Sequence, residues 1–109
     1  MTQIPDLSRG LVITRDRFLC QRCGMVGAHW HHRRGRAVRD EHTHCPCNGI
    51  LLCSVCHEWV HKNPFLARGR GLIVAKYVDV PGSVLVDTYL GTLSLDCSGG
   101  FTWAKNEPR

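Results

Sequence analysis

The sequence predicts a small α+β fold, on three observations. A chain of 109 residues supplies one domain that buries roughly two-thirds of its unfolded surface, so we expect marginal stability. Its N-terminal part combines short apolar segments with paired cysteines, whereas its C-terminal part is rich in β-branched and aromatic residues. We therefore divide the chain into a core segment, residues 1–71, and a C-terminal antiparallel β extension, residues 72–109, that packs on or beside the core.

The core segment begins with a predicted helix at residues 6–16. Leu7 and Leu11 share one face of that helix, and Asp6 or Ser8 can cap its N-terminus. The segment thus opens with a short amphipathic helix.

Two strands and a second helix follow in the core segment. Residues 28–34 and 48–52 are predicted to be short strands joined by a polar, basic loop. Residues 54–61 suit a helix with Ser54 as N-cap, and Pro64 ends it because the residue before a proline avoids helical geometry.

The β extension contains apolar runs at residues 72–78 and 83–90, separated by Pro81-Gly82, and an alternating run at 92–96. Three or four short antiparallel strands are predicted here.

The seven cysteines and the N-terminus bear on the compartment. The cysteine count is odd, and two pairs have C-x-x-C spacing, which is typical of zinc knuckles rather than of a disulfide scaffold. The N-terminus lacks the pattern of a signal peptide, and no apolar stretch approaches the length of a membrane span. We expect a cytoplasmic protein with reduced cysteines and no membrane partner.

The two C-x-x-C pairs predict a structural zinc site. Cys20, Cys23, Cys53 and Cys56 supply the four thiolates of a closed tetrahedral site. The alternative is four reduced, buried cysteines that pack as small apolar residues. Two pairs at this spacing favour zinc.

The other cysteines give a weaker signal. Cys45 and Cys47, with His42 and His44, can form a second zinc cluster, but C-x-C is a poor chelate signature and we favour the interpretation without metal. Cys97 is interpreted as a buried residue of the extension.

Four histidines predict a second, open metal site. His57 and His61 lie one helical turn apart on the same face, where two imidazoles can bind one metal. His31 and His32 lie on a predicted strand, so one can face the metal while the other is free to move a proton. Three protein ligands leave positions for water and substrate. Asn48 can hold the loop or orient the base through its amide, or it is an ordinary turn asparagine.

Basic residues surround these histidines in sequence. The net charge is +5, which favours a polyanionic partner. Arg33, Arg34, Arg36 and Arg39 follow the paired histidines directly. The alternative is a solvated loop, but beside candidate metal ligands we prefer phosphate contacts.

The complete pattern resembles the HNH endonucleases, also called ββα-metal nucleases. The resemblance covers roughly residues 15–66 and rests on Cys20-x-x-Cys23, His31-His32, Asn48, Cys53-x-x-Cys56-His57 and His61. It implies a zinc-stapled ββα-metal core. The basic, cysteine-rich loop and Arg33 after the paired histidines depart from the usual family pattern.

The resemblance also implies a role for each site residue. His32 corresponds to the general base, His31 to the first metal ligand, Asn48 to the middle asparagine, and His57 and His61 to the ligands on the helix. It further implies hydrolysis of DNA in a bacterial host or a phage-infected cell. The catalytic metal stays open, because three histidines suit Zn²⁺, Ni²⁺ or Mn²⁺ in affinity and Mg²⁺ can act at its cellular abundance. Small free-standing HNH proteins of phages and actinobacteria add a larger DNA-processing or packaging complex as a partner.

Two other functions remain open at this point. The chain can be a non-catalytic zinc module that binds nucleic acid, or an adaptor whose β extension docks on a packaging complex. Neither needs the histidines to react.

Overall fold

The computed structural model describes residues 3–104, which form an α+β structure with two antiparallel sheets. The helices are α1 (Asp6–Arg15), α2 (Ser54–Lys62) and α3 (Pro64–Gly69), and the strands are β1 (His29–His32), β2 (Gly49–Leu52), β3 (Val86–Thr88), β4 (Gly91–Leu95) and β5 (Phe101–Trp103). Short 3₁₀ turns occupy Pro46–Asn48 and Pro81–Ser83. No helix within residues 3–104 is both long and apolar enough to cross a membrane.

The first sheet positions the paired histidines. Strands β1 and β2 are antiparallel, with His29 opposite Leu52 and His32 opposite Gly49. Helix α2 follows β2 almost at once, so β1, β2 and α2 are neighbours along the chain and in space. The predicted strands at 28–34 and 48–52 are confirmed in shorter form.

Helix α1 is confirmed, but its predicted cap is not. Pro5 occupies the N-cap position, and no described side chain caps the helix. Val12 is fully buried whereas Leu7 is exposed, so only one side of the predicted apolar face contributes to the core.

The end of α1 is fixed to β2 by two adjacent charged residues. Arg15 donates from both terminal nitrogens, to the carbonyl of Pro46 at 2.8 Å and to that of Gly49 at 2.7 Å, and its Nε pairs with Asp16 at 2.8 Å. Asp16 in turn accepts from the backbone N–H of Leu51 at 2.9 Å. Burial raises the pKa of Asp16, against the opposing effect of Arg15. The pair satisfies buried backbone groups where β2 begins.

The N-cap of helix α2 lies one residue earlier than predicted. Cys53, not Ser54, is the N-cap, and its Sγ accepts from the backbone N–H of Cys56 at 3.4 Å. Asn63 ends the helix before Pro64, as predicted.

The two segments of the chain share one apolar core. Ile50 and Leu52 of β2 pack in the same cluster as Val86, Leu93 and Leu95 of the second sheet. Burying a side chain of this size contributes roughly 1.5–3 kcal/mol. The extension therefore packs on the core segment. Residues 1–2 and 105–109, at the outer ends of the two predicted segments, lie outside the described residues.

The strand predicted at residues 72–78 is wrong. Leu72 and Val74 are buried, but the segment makes only an isolated parallel bridge between Val74 and Arg34. The run is irregular chain that is buried at Leu72 and Val74 and exposed at Tyr77. The predicted strand at 83–90 shrinks to β3, and the second sheet has the strand order β3-β4-β5.

Candidate metal centres

The four knuckle cysteines lie together, as their spacing predicts. Cys20 and Cys23 come from a tight turn after α1, and Cys53 and Cys56 from the start of α2; their sulfur atoms all lie within 4.8 Å of one another. The sulfurs of Cys23 and Cys53 are 3.8 Å apart. A tetrahedral zinc with bonds of about 2.3 Å places its sulfurs roughly 3.8 Å apart, so this cluster can hold a structural zinc.

Neighbouring groups favour the thiolate at Cys53, whereas burial raises the pKa of the Cys23 and Cys56 thiols. The backbone N–H of Cys56 lowers the pKa of the Cys53 thiol to about 7. Arg22 donates to the sulfur of Cys56 at 3.3 Å and lies 3.8 Å above the ring of Trp59. A guanidinium held in this way offsets the negative charge of a four-thiolate centre.

Three histidines, one from β1 and two from α2, converge where the strand and the helix meet. His31, His57 and His61 offer ring nitrogens that all lie within 4.8 Å of one another. The Nε2 atoms of His57 and His61 are 3.2 Å apart, and a tetrahedral metal with bonds of about 2.0–2.1 Å separates two nitrogens by roughly 3.4 Å. The donor set therefore fits a divalent metal with three protein ligands.

His31 is held in the neutral form that a metal ligand requires. Burial lowers its pKa to about 4. Its Nε2 lies 2.7 Å from the carbonyl oxygen of Leu72, which can only accept, so Nε2 carries the hydrogen and Nδ1 is left with a lone pair. A carbonyl that fixes the tautomer in this way is a common outer partner of metal-binding histidines. That carbonyl belongs to the extension.

His32 occupies the opposite face of β1 from His31, in agreement with strand alternation. Its ring is half-buried against Trp30, and its Nε2 lies 3.1 Å from Nδ1 of His44. Burial, with added repulsion from Arg36 and His44, lowers the pKa of His32 to about 4. The ring is therefore neutral at pH 7 and can accept a proton.

Two further histidines contact these rings, one beside each face of β1, and the sequence analysis gave neither of them a role at this site. The ring of His29 stacks on that of His57 with centroids 5.2 Å apart. Its position two residues before His31, on the same face of β1, is the signal that was available. His44, which had been considered as a zinc ligand, instead contacts His32.

Asn48 is a fully buried loop clamp. Its Oδ1 accepts from the backbone N–H of Arg34 at 2.6 Å, and its Nδ2 donates to the carbonyls of Arg34 at 3.1 Å and Thr43 at 3.0 Å. Of the two uses of its amide that the sequence left open, these contacts serve to hold the loop.

Two of the four arginines predicted to contact phosphate are buried. Arg33 and Arg34 are each 1 % exposed. Arg34 donates to the carbonyls of Val78 and Asp79 and pairs with Asp40. Both guanidinium groups are buried and bonded within the protein, so we do not assign phosphate contacts to Arg33 or Arg34. Arg36 and Arg39 are exposed.

The guanidinium of Arg33 is surrounded by backbone carbonyls. It donates to Gly71 at 2.8 Å, Cys47 at 2.9 Å, Pro81 at 3.3 Å and Val84 at 2.6 Å. Burial lowers its pKa to about 10, so the group stays charged. Within residues 3–104 no carboxylate forms a salt bridge with it.

A second cysteine-rich cluster is present, with one member that the sequence analysis placed elsewhere. His42, Cys45, Cys47 and Cys97 offer ligand atoms within 4.8 Å of one another. Cys97 is exposed rather than buried and lies 3.8 Å from Nδ1 of His42. The sequence favoured no metal at Cys45 and Cys47 because it offered only neighbouring residues as further ligands. The structure adds Cys97, from the turn between β4 and β5.

Comparison of the chain with family models, curated proteins and solved structures finds no match in any of the three. The site geometry therefore carries the functional argument.

Proposed function

We propose that this protein is a metal-dependent endonuclease of the HNH type that hydrolyses DNA phosphodiester bonds. The observation that carries the proposal is the convergence of ring nitrogens of His31, His57 and His61 within 4.8 Å, with the neutral His32 next to His31 on β1. The order β1, β2, α2 and the cysteine knuckles beside α2 agree with a zinc-stapled ββα-metal core.

His31, His57 and His61 would hold the metal, and the rest of the coordination sphere would be open to water and substrate. A divalent metal bound there supplies Lewis-acid stabilisation of the charge that develops on the phosphate and on the leaving 3′ oxygen. Leu72 keeps the ring of His31 in one tautomer, and the cysteine knuckle fixes the start of the helix that carries the other two ligands.

His32 would act as the general base. In the tautomer in which its Nε2 donates to His44, its Nδ1 carries a lone pair that can take a proton from the attacking water. The contacts with Trp30 and His44 hold the ring at a fixed angle, so His44 acts as a positioning residue.

The exposed arginines give the nucleic-acid interface. Arg36 lies close enough to His32 and His44 to lower the pKa of both, and it is therefore near the proposed base. Together with Arg39 it provides positive charge at the entrance to the site. A DNA-processing or packaging complex is the partner that we propose in the cell.

The test is plasmid cleavage with separate additions of Mg²⁺, Mn²⁺, Ni²⁺ and Zn²⁺. The wild type should convert supercoiled DNA to nicked or linear forms in at least one metal. His32→Ala should lower the rate by about 10²–10⁴ while zinc content and DNA binding stay unchanged. Tyr77→Ala, at an exposed ring, serves as the handling control.

Intact plasmid in every metal, with DNA still bound, would refute the nuclease and favour the non-catalytic zinc module. The presence of two cysteine-rich clusters is the observation that supports this second candidate. Equal cleavage by His32→Ala would instead refute only the role of the base.

A further inference from the structure

We infer that the protein contains a second structural zinc site, formed by His42, Cys45, Cys47 and Cys97, which fastens the loop between β1 and β2 to the turn between β4 and β5. This inference is independent of nuclease activity. Zinc binding at the four-cysteine knuckle does not imply it.

The donor set and its geometry fit zinc. Cys97 Sγ and Cys47 Sγ lie 3.8 Å and 4.0 Å from Nδ1 of His42. A tetrahedral zinc with usual bond lengths separates a sulfur from a nitrogen by roughly 3.5 Å, so a small closure of the cluster suffices. Three thiolates and one imidazole form a closed site of the structural type.

The cysteine inventory supports two sites rather than one. The chain has seven cysteines. Four belong to the knuckle, and the other three all lie in the second cluster, so none is left over. The odd number, which is awkward for disulfides, is accounted for by one site with four thiolates and another with three.

The ligands arrive from two separate regions of the chain, held by other contacts. Cys47 is fully buried in the turn that precedes β2. Cys97 is presented by a turn in which the carboxylate of Asp96 accepts from the backbone N–H groups of Ser98 at 2.9 Å and Gly100 at 2.8 Å. Both regions are therefore shaped without the metal, and the exposed Cys97 thiol still lies beside the cluster.

Charge balance is the independent observation. Arg33 is a buried cation that has no carboxylate partner among the described residues, and buried charges are normally paired. It donates to the carbonyl of Cys47 and interacts electrostatically with the Cys47 thiol group. Zinc with three thiolates and a neutral imidazole carries a net charge of −1. The second site would supply a counter-charge next to Arg33, which none of the carboxylates in residues 3–104 supplies by a salt bridge.

The consequence is a cross-link that closes a long loop. His42 and Cys97 are 55 residues apart in sequence. The loop that contains His42 and the cysteine pair also contains His44. The zinc would therefore hold this loop, and His44 with it, against the turn between β4 and β5. Each cysteine releases its proton when it binds, and the site becomes coupled to folding.

The first measurement is the zinc content of the purified full-length chain, kept reduced, by elemental analysis. We expect at least two zinc ions per chain that survive dialysis. Cys97→Ser and His42→Ala should each lose one ion, while Cys20→Ser loses a different one. The matched control is His44→Ala, a histidine from the same segment that should keep the full zinc content.

The second measurement keeps the inference testable if a variant folds poorly. In cobalt-substituted wild type, the thiolate-to-cobalt absorbance should arise from seven sulfurs, and Cys97→Ser should lower it to about four-sevenths. A wild type whose cysteine sites bind a single ion would overturn the inference. So would a Cys97→Ser protein with unchanged zinc, or a disulfide between Cys97 and another cysteine under reducing conditions.

Discussion

Removing the amide of Asn48 should destabilise the fold rather than only slow a reaction. Asn48 is fully buried, and its side chain makes three hydrogen bonds to backbone groups of the loop. The substitution Asn48→Ala leaves the N–H and C=O of Arg34 and the C=O of Thr43 without these partners. Asn48 is 0 % exposed, so these groups are removed from bulk water.

The expected loss follows from counting those groups. A buried polar group left unsatisfied costs about 1–3 kcal/mol, so three groups with partial rescue cost about 3–6 kcal/mol. That is a large share of the roughly 5–15 kcal/mol of a typical domain. The matched control is Asn63→Ala: this half-buried residue donates one hydrogen bond, to Trp59 at 2.9 Å, and should cost only about 0.5–1.5 kcal/mol.

Urea unfolding at fixed free zinc measures both variants. With a slope of about 1–3 kcal/mol per molar urea, Asn48→Ala should lower the midpoint by at least about 1 M, and Asn63→Ala by clearly less. Equal midpoints for the two variants would refute the clamp. A stable Asn48→Ala protein that binds zinc and DNA but does not cleave would instead support orientation of the base by the Asn48 amide.

Three other predictions follow from the site and its support. His57→Ala should weaken Mn²⁺ binding, measured by calorimetry, by more than the roughly 10–100-fold that loss of an outer-shell partner costs. Arg36→Ala and Arg39→Ala should each reduce the salt dependence of DNA binding by about 0.9 in the logarithmic slope, because one phosphate contact is lost. Gly71→Ala should lower the melting temperature, since φ is +74° there and the new Cβ would overlap the carbonyl oxygen of Leu85; the strain alone costs about 1–2 kcal/mol.

Each of these predictions has a control on the same chain. Gly10→Ala, at a glycine with open space around it, should leave the melting temperature the same or higher. Ser98→Ala should leave the salt slope unchanged. A His57→Ala protein with undiminished Mn²⁺ affinity would contradict the three-histidine site, and loss of the knuckle zinc in that variant would show that the defect is one of folding.

Local sequence predicted the parts of the fold whose causes are local. The C-x-x-C pairs and the i, i+4 histidines come together because a turn or a helix fixes their distance, and α1, α2 and the first sheet follow from short-range patterns. Cys97 was misplaced because its partners are distant in sequence, His42 by 55 positions, and meet it only when the second sheet packs.

The buried arginines were missed for the same physical reason. A run of arginines in sequence predicts side chains that contact solvent or phosphate. An arginine is buried instead when several backbone carbonyls surround its guanidinium. For Arg33, three of those four carbonyls belong to Gly71, Pro81 and Val84, which no local pattern connects to it. The apolar run at 72–78 was read as a strand because burial and strand formation give the same composition.

The contacts of the buried Arg33 also limit where the gene for this protein can be divided without loss of the fold. The carbonyls that accept from Arg33 lie on both sides of residues 68–70, where α3 ends, and the carbonyl that orients His31 belongs to Leu72. A break in the gene at this point would separate Arg33 from three of its four acceptors, and the candidate metal-binding residue His31 from the carbonyl of Leu72. The segment that carries the histidines therefore does not form the site on its own. A fusion protein that contains this segment must contain the second sheet as well.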